Sequence, residues 1–478
     1  MSTTAYRPTI GIECHVQLAT KSKLFSPADN DARDAEPNSK IHPVDVALPG
    51  MLPRLNHQAI VLAARAAKAL NAEVAHESRF DRKHYFYPDL PSGYQITQMY
   101  HPTILAGSIE VPLDDGSAIN VRIHHAHLES DAGKLTHRNG YSVVDLNRAG
   151  TPLIEIVSEP DMHSPEEARA YSSELYRLMT YAEITHGDLY HGNMRFDVNV
   201  SIAPVDSDTL GTRVEIKNLN SFRSVERAAA YEIARQQELL ESGESVVQET
   251  RGWNDDTGVT TSQRSKENAQ DYRYMPDPDI PPVVLTQADI DAMQQNMPVL
   301  PPEYRKQFAE LSVDKSVVAK VMQSRSLASI LSAVLSNGSV DDATRVAHWI
   351  ASKFAATDSI DVSHAVDVGA VLELSRMVGD KEIASNAASE LFSLVLSGET
   401  DPRALAGSRG LLQNSNQDEI AAIVDRVLAD PSSAKAIQDI QSGNDKAIGY
   451  LVGQVMKLSR GQANPEMAQT VIREKIVS

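Results

Sequence analysis

The sequence predicts an α+β fold: antiparallel strands with flanking helices up to about residue 285, then a helical remainder. Three observations carry this expectation. Residues 9–18 (Thr-Ile-Gly-Ile-Glu-Cys-His-Val-Gln-Leu) alternate between apolar and polar side chains, the period-two pattern of a half-buried strand. The same alternation returns in 193–202 and in 212–217. Beyond residue 285 the apolar residues recur at helical spacing instead.

Each element can be justified in order. The first strand sets Ile10, Ile12, Cys14, Val16 and Leu18 on one face and Glu13, His15 and Gln17 on the other. Gln58–Leu70 is Ala-rich and reads as a helix. Residues 152–159 form an apolar strand interrupted by Glu155, which points away from the face of Ile154 and Ile156. Ser164-Pro165-Glu166-Glu167 supplies an N-cap, a first-turn proline and a capping-box acid for a helix over Ala168–Thr180. In 193–202, Arg195, Asp197, Asn199 and Ser201 oppose an apolar face; in 212–217, Arg213, Glu215 and Lys217 do the same. A helix follows over Ser224–Leu240. The proline-rich stretch Asp271–Pro282 cannot continue a helix or a central strand, so it closes the first domain. Helices are then expected at Gln287–Gln295, Glu303–Leu311, Asp341–Ser352, Ser363–Val378 and Lys381–Ser397. The Gly-, Ser- and Asn-rich stretch 401–416 reads as a hinge. A last helical unit has Gln417–Leu428, Ser432–Ser442 and Lys446–Leu458, where Gly449 and Gly453 suggest close helix packing, and a closing helix after Pro465.

Composition bounds the function. A chain of 478 residues is too long for one core, so two or three domains are expected. With 64 acidic against 45 basic residues the net charge is −19, which repels nucleic acid on average. An RNA partner must therefore meet local basic patches or another subunit. No apolar run approaches the ~20 residues of a membrane span, and residues 1–7 offer no secretory signal. The single cysteine, Cys14, can form no internal disulfide and no Cys-ligated zinc site, which fits a reducing cytoplasm.

The strongest constellation is Glu13, His15, Glu129 and Glu155. Carboxylates with one imidazole suit Mg²⁺ or Mn²⁺, because hard cations prefer oxygen. Taken singly, each reads as a solvated side chain on the open face of an antiparallel sheet. Two on one strand face, with others on comparable strands, point to a metal. In His124-His125-Ala126-His127, no second pair completes a zinc set, so these read as structural or surface histidines, with His127 near Glu129. Gly133-Lys134 lacks the rest of a phosphate-binding P-loop. Phe80–Asp89 gathers cations and aromatics, either to meet an anionic substrate or as a surface loop. Lys446, Lys457 and Arg460, with Arg473 and Lys475, form a local basic excess that suits phosphates or a solvated helix face.

These segments together resemble the B subunits of the bacterial aspartyl/glutamyl-tRNA(Asn/Gln) amidotransferases. The resemblance rests on Ile10–Leu18, Leu48-Pro-Gly-Met-Leu-Pro53, Phe80–Asp89, His127–Lys134, Val144–Pro160, Glu215–Phe222, Asp271–Asp279, Ala447–Lys457 and Gly461–Pro465, in family order along nearly the whole chain. It implies a cradle-shaped catalytic domain over 1–285, a helical domain over 286–410 and a small helical tail domain over 411–478. It implies an ATP-dependent activation of the side-chain carboxylate of Glu-tRNA(Gln) or Asp-tRNA(Asn), followed by amidation. Ammonia would come from an amidase A subunit, with a small C subunit completing the assembly. Glu13, His15, Glu129 and Glu155 would be metal ligands, with Glu155, Lys83 and Arg82 at the reacting phosphate. Arg195, Asp197, Glu215 and Lys217 would line a path for ammonia, and Lys446, Lys457 and Arg460 would touch the tRNA. Many relatives carry zinc-knuckle cysteines near 26–28 and 42–45; here Ser26-Pro-Ala28 and His42-Pro-Val-Asp45 stand instead, so no zinc is expected and packing should replace it. Many also carry a second Glu where Ser130 stands. Two rival readings of the residues are a stand-alone metal-dependent hydrolase and a non-catalytic tRNA-binding scaffold.

Overall fold

The computed structural model describes residues 5–265, 271–354, 366–413, 417–442, 444–459 and 463–477. They divide into two compact units, Met1–Pro301 and Pro302–Ser478. The first is a mixed α and β unit and the second is helical.

An eight-stranded sheet organises the first unit. Its spatial order is Val259–Ser265, Glu249–Asn254, Val214–Leu219, Met194–Pro204, Tyr6–Gln17, Pro152–Ser158, Ala118–Ser130 and Gly107–Pro112. All neighbours run antiparallel except Val214–Leu219 with Glu249–Asn254. Period-two alternation gives this sheet two unlike faces. Ile10, Ile12, Cys14 and Val16 are buried, and Phe196, Val198 and Val200 join them from the adjacent strand. The helices that contribute to this core include His57–Ala69, Pro165–Tyr181 and Phe222–Glu241. Their starts are those of ordinary capped helices. Asn56, Ser164 and Ser221 each accept a backbone N–H of the first turn through the side chain. The opposite sheet face carries the polar set and faces the cavity described below.

The first unit runs past residue 285 because the helix Gln287–Gln294 returns to the Ala-rich helix. Arg65 Nε donates to the Met293 carbonyl at 3.1 Å, and Gln294 Nε2 donates to the Ala64 carbonyl at 2.8 Å. The proline-rich segment before it does not hang free. Met275 and Pro276 pair antiparallel with Arg82 and Asp81, extending a small sheet of Asp81–His84 and Tyr94–Thr97.

Where packing was expected to replace a zinc knuckle, an ion pair is found. Lys23 Nζ lies 3.2 Å from Asp45 Oδ2, and the same oxygen accepts the His42 N–H at 2.9 Å. Both side chains are buried. Burial pulls the Lys23 amine below its usual range, opposed by the charge of Asp45.

In the second unit the 401–416 stretch corrects its reading as a hinge. Pro402–Ser408 is a helix, with Asp401 capping Ala404 and Pro402 in the first turn; the glycines mark only its end. Residues 414–416 lie outside the described residues. The expected helix start at Ser363 also lies outside them, and the described helix runs Val368–Gly379. Two helices that the apolar spacing did not single out, Lys315–Val321 and Arg325–Asn337, are present. Close packing at Gly449 and Gly453 is not observed: a Cβ at either would meet nothing within 4 Å. The tail core is instead built from Ile420, Val424, Leu451, Val455, Ala468 and Ile472.

Candidate metal and active centre

Register decides which polar side chains meet. On the central strand His15 stands directly across from Glu155 on one side and from Arg195 on the other. Glu155 in turn faces His127 on its far side. Directly opposed residues have Cβ atoms about 4.5–5.5 Å apart, so Arg195, His15, Glu155 and His127 form one row across four strands. Glu129 follows His127 by two residues on the same face.

The result is a compact donor set. His15 Nε2 lies 3.4 Å from Glu155 Oε2 and 3.5 Å from Glu129 Oε1. Ligand atoms of His15, Glu129 and Glu155 all lie within 4.8 Å of one another. His127 Nε2 completes the surround, 3.5 Å from Glu155 and 3.9 Å from Glu129. The histidine read as structural or surface thus stands against the acids, at the inner end of a contact series through His125 to His124.

The electrostatics are those of acids crowded out of water. Burial and the neighbouring Glu155 push the Glu129 carboxyl up to about 7. Burial would also raise Glu155, but its hydrogen bond to His15 and the charges of His127, His15 and Lys83 hold it well below the usual range. Burial works against a charged His15, yet the two glutamates lift it to about 9. Burial takes His127 down to about 4. A buried and a half-buried carboxylate sharing one imidazole, with open space beside them, are a donor set that a hard divalent cation fits.

His15, Glu129 and Glu155 line a cavity of about 320 Å³ together with Lys83, Tyr85, Gln95, Asp131, Arg195, Asp197 and Lys217. Burial opposes the charge on Lys83, but Glu129 and Glu155 raise its pKa above the usual range, so an ammonium faces the acids. Arg195 donates to Asp131 at 2.9 Å. Lys217 Nζ lies 2.7 Å from Asp197 and 2.9 Å from Glu215.

Two expected members stand elsewhere. Glu13 shares the face of His15 but belongs to the next row, roughly 6.5–7 Å along the strand. Its Oε1 accepts from Asn199 Nδ2 at 3.0 Å, and burial with the charge of Glu155 raises its pKa. It borders a second cavity of about 220 Å³. Arg82 is turned away from the acids, because adjacent strand residues point to opposite faces. It pairs with Asp277 and Asp279 at 2.8 Å each and lies 4.2 Å over the Tyr94 ring. Lys446 and Lys457 are exposed on the tail, and Arg460 lies outside the described residues. Arg473 and Lys475 are paired with Asp445 and Asp425, which discharges much of the expected basic patch.

The sequence reading did not single out Tyr85, Gln95 and Asp131. Their signal was proximity in sequence to Lys83 and Glu129, which only the strand pairing of 81–84 with 94–97 turns into proximity in space.

The whole sequence is also similar to known proteins. Residues 8–291 match the family described as the GatB/GatE catalytic domain, and residues 330–476 match the GatB domain. A protein of Halorhodospira halophila is 42% identical over 478 residues, covering 98% of this chain and 99% of its own. One of Alkalilimnicola ehrlichii is 43% identical over 480 residues, covering 99% and 100%, and one of Thermoanaerobacter pseudethanolicus is 38% identical over 481 residues, covering 98% and 99%. All three are named as the B subunit of an aspartyl/glutamyl-tRNA(Asn/Gln) amidotransferase. With both its acid-lined sheet and its helical remainder matched, this chain belongs to the GatB/GatE family.

Proposed function

We propose that the chain is the B subunit of an aspartyl/glutamyl-tRNA(Asn/Gln) amidotransferase. It activates the side-chain carboxylate of Glu-tRNA(Gln), Asp-tRNA(Asn) or both with ATP, and ammonia then converts the activated acid to the amide. The observation that carries this reading is the convergence of His15, Glu129 and Glu155 on one cavity with Lys83, in a chain of this family.

A carboxylate oxygen forms a bond to the γ-phosphorus of ATP as ADP departs. Ammonia then bonds to the carbonyl carbon, the bond to phosphate breaks, and the departing phosphate takes a proton from nitrogen. The first step joins two anions, so positive charge must be held where they meet. His15, Glu129 and Glu155 would hold a Mg²⁺ or Mn²⁺ ion, and when bound it supplies charge neutralisation at the phosphate. Lys83 adds a fixed ammonium at the cavity wall, kept protonated by the same glutamates. Arg195, Asp197, Glu215 and Lys217 bind one another or Asp131, which makes a fixed polar row suited to pass ammonia. Ammonia would arrive from an amidase A subunit, with a small C subunit as the third chain. Exposed Lys446 and Lys457 are candidates for contact with the tRNA body. None of the described helices is long and apolar enough to cross a membrane, and a cytoplasmic setting suits a translation enzyme.

The test is to co-express the three subunits and follow ATP- and glutamine-dependent conversion of Glu-tRNA and Asp-tRNA. Glu155→Ala should abolish ATP-dependent activation while sparing glutamine hydrolysis. A wild-type complex that converts neither acyl-tRNA overturns the reading.

A further inference from the structure

A series of tyrosines leads out of the cavity that no step above uses. Tyr85 lines the cavity, and its ring lies 6.0 Å from that of Tyr87 and 6.0 Å from that of Tyr272. Tyr272 meets Tyr274 at 6.1 Å, and Tyr274 meets Tyr100 at 6.5 Å. All four contacts are edge-to-face, with interplanar angles of 64° to 76°. Each such contact covers one face of one ring of its pair, so four contacts leave most faces of the five rings uncovered by one another. The terminal rings face water: Tyr87 is 52% and Tyr100 59% exposed. The middle of the arc stands over the catalytic cation, with Lys83 Nζ 4.9 Å from the Tyr272 centroid.

A packing cluster would bury these rings, and it would gain nothing from hydroxyls. This arc instead passes from solvent at Tyr87, along the cavity wall at Tyr85, and back to solvent at Tyr100 on amphipathic side chains. Such rings are the platforms on which unpaired bases stack, each base contributing without regard to its identity. The arc is a track rather than a slot. Five rings in succession exceed what one mononucleotide covers. Charge points the same way. A chain of net charge −19 repels a phosphate backbone, so a hold through uncharged faces suits RNA better here than a hold through phosphates.

We propose that Tyr87, Tyr85, Tyr272, Tyr274 and Tyr100 form the stacking track for the unpaired 3′ nucleotides of the acylated tRNA, so that the free side-chain carboxylate of the esterified amino acid reaches Lys83. The inference rests on the function proposed above, since it takes misacylated tRNA as the occupant.

The test uses the assembled three-subunit enzyme with Tyr87→Ala and Tyr100→Ala, both at exposed rings, and the conservative Tyr87→Phe. The expected result is a KM for Glu-tRNA or Asp-tRNA raised about fivefold or more by each alanine. Tyr87→Phe should restore it, and KM for ATP and glutamine hydrolysis should not move. A KM for ATP that rises while that for acyl-tRNA stays fixed overturns the proposal in favour of an adenine site for ATP. Unchanged values for both, in variants that melt like wild type, overturn it as well. Independently of any variant, misacylated tRNA carrying a photoreactive thiobase in its unpaired 3′ end should cross-link to peptides holding Tyr87 or Tyr100; cross-links confined elsewhere overturn it. Failure of this inference leaves wild-type amidation intact, whereas failure of the underlying reading removes it.

Discussion

Breaking the contact between Arg82 and Asp277 tests how the cavity wall is held. Asp277 is fully buried at its side chain and Arg82 largely so, and their atoms meet at 2.8 Å. Removing one member of a buried pair costs about 3–5 kcal/mol, because the other charge is left without a partner. Here Asp279 still holds the guanidinium at 2.8 Å, but at a site open to water, where such pairs contribute about 1 kcal/mol or less. Tyr94 adds a cation–π contact of similar size. The net cost of Asp277→Ala should therefore be about 1–3 kcal/mol. It falls on the segment 271–279, which is otherwise tied by the short pairing at Met275 and Pro276 and by backbone bonds from His84 to Tyr272 and from Asp277 to Phe80. At 1.36 kcal/mol per tenfold change, amide exchange in peptides covering 271–279 should quicken about 5- to 160-fold. Hydrogen-exchange mass spectrometry reads this directly. Arg82→Ala should do the same, and the double variant should be little worse than either single one, because the two groups act as a unit. Tyr272 rides on this segment beside Lys83, so amidation should fall as exchange rises. Unchanged exchange, with the two substitutions adding in full, would refute the reasoning and return Arg82 to the phosphate-contacting role that its place next to Lys83 suggests.

Two further outcomes are expected. Adding Mg²⁺ or Mn²⁺ to the purified complex should raise its melting temperature, by about 2.7 kcal/mol of stabilisation at a hundred times Kd, and His15→Ala should abolish the shift; a shift unchanged in that variant places the ion elsewhere. In the second unit Asp342 opposes its own burial with hydrogen bonds from Ser339, Ser375 and Arg345, and its carboxyl is held down at about 2. A folded value below the unfolded one near 3.9 means stability that is present above pH 4 and lost as pH falls through about 2, worth about 2 kcal/mol. Urea denaturation at pH 5 and pH 2.5 should therefore show a smaller difference for Asp342→Asn than for wild type.

What could be read in the chain was local. Alternation identified the strands at 9–18, 152–159, 193–202 and 212–217 because one face of each is buried against helices, and Ser164-Pro165 announced its helix because the capping chemistry is complete within four residues. Glu249–Asn254 and the edge strand Val259–Ser265 escaped because little of either is buried: Gly252 and Trp253 are adjacent rather than alternate, and Thr260 stands alone among the described side chains of its strand. Composition misled at 401–416: the glycines there outvoted Asp401-Pro402, although a cap with a first-turn proline is the stronger physical signal. The helix Arg325–Asn337 was legible in principle, since Ser324 caps it and Leu327, Ala328, Leu331 and Val334 follow at helical spacing.

The candidate site marks where local reading ends. Alternation assigns Glu13 and His15 to one face but cannot say which of them meets Glu155. A slip of two residues keeps every side chain on its own face, so the hydrophobic pattern, which forbids a slip of one, is nearly indifferent to it. What opposes that slip here is specific. The Ile12 N–H donates to Ser158 Oγ in a buried bond of 2.9 Å, Ile10 exchanges backbone bonds with Met162, and the Leu18 N–H reaches the Pro152 carbonyl. These tie the two ends of the strand Tyr6–Gln17 to the strand carrying Glu155, and so choose His15 rather than Glu13 as its opposite. Ser158→Ala should accordingly weaken the choice without altering which face is polar. If the acids met through face alone, that substitution would leave the shift of melting temperature on adding Mg²⁺ or Mn²⁺ untouched; if register sets them, the shift should shrink with it.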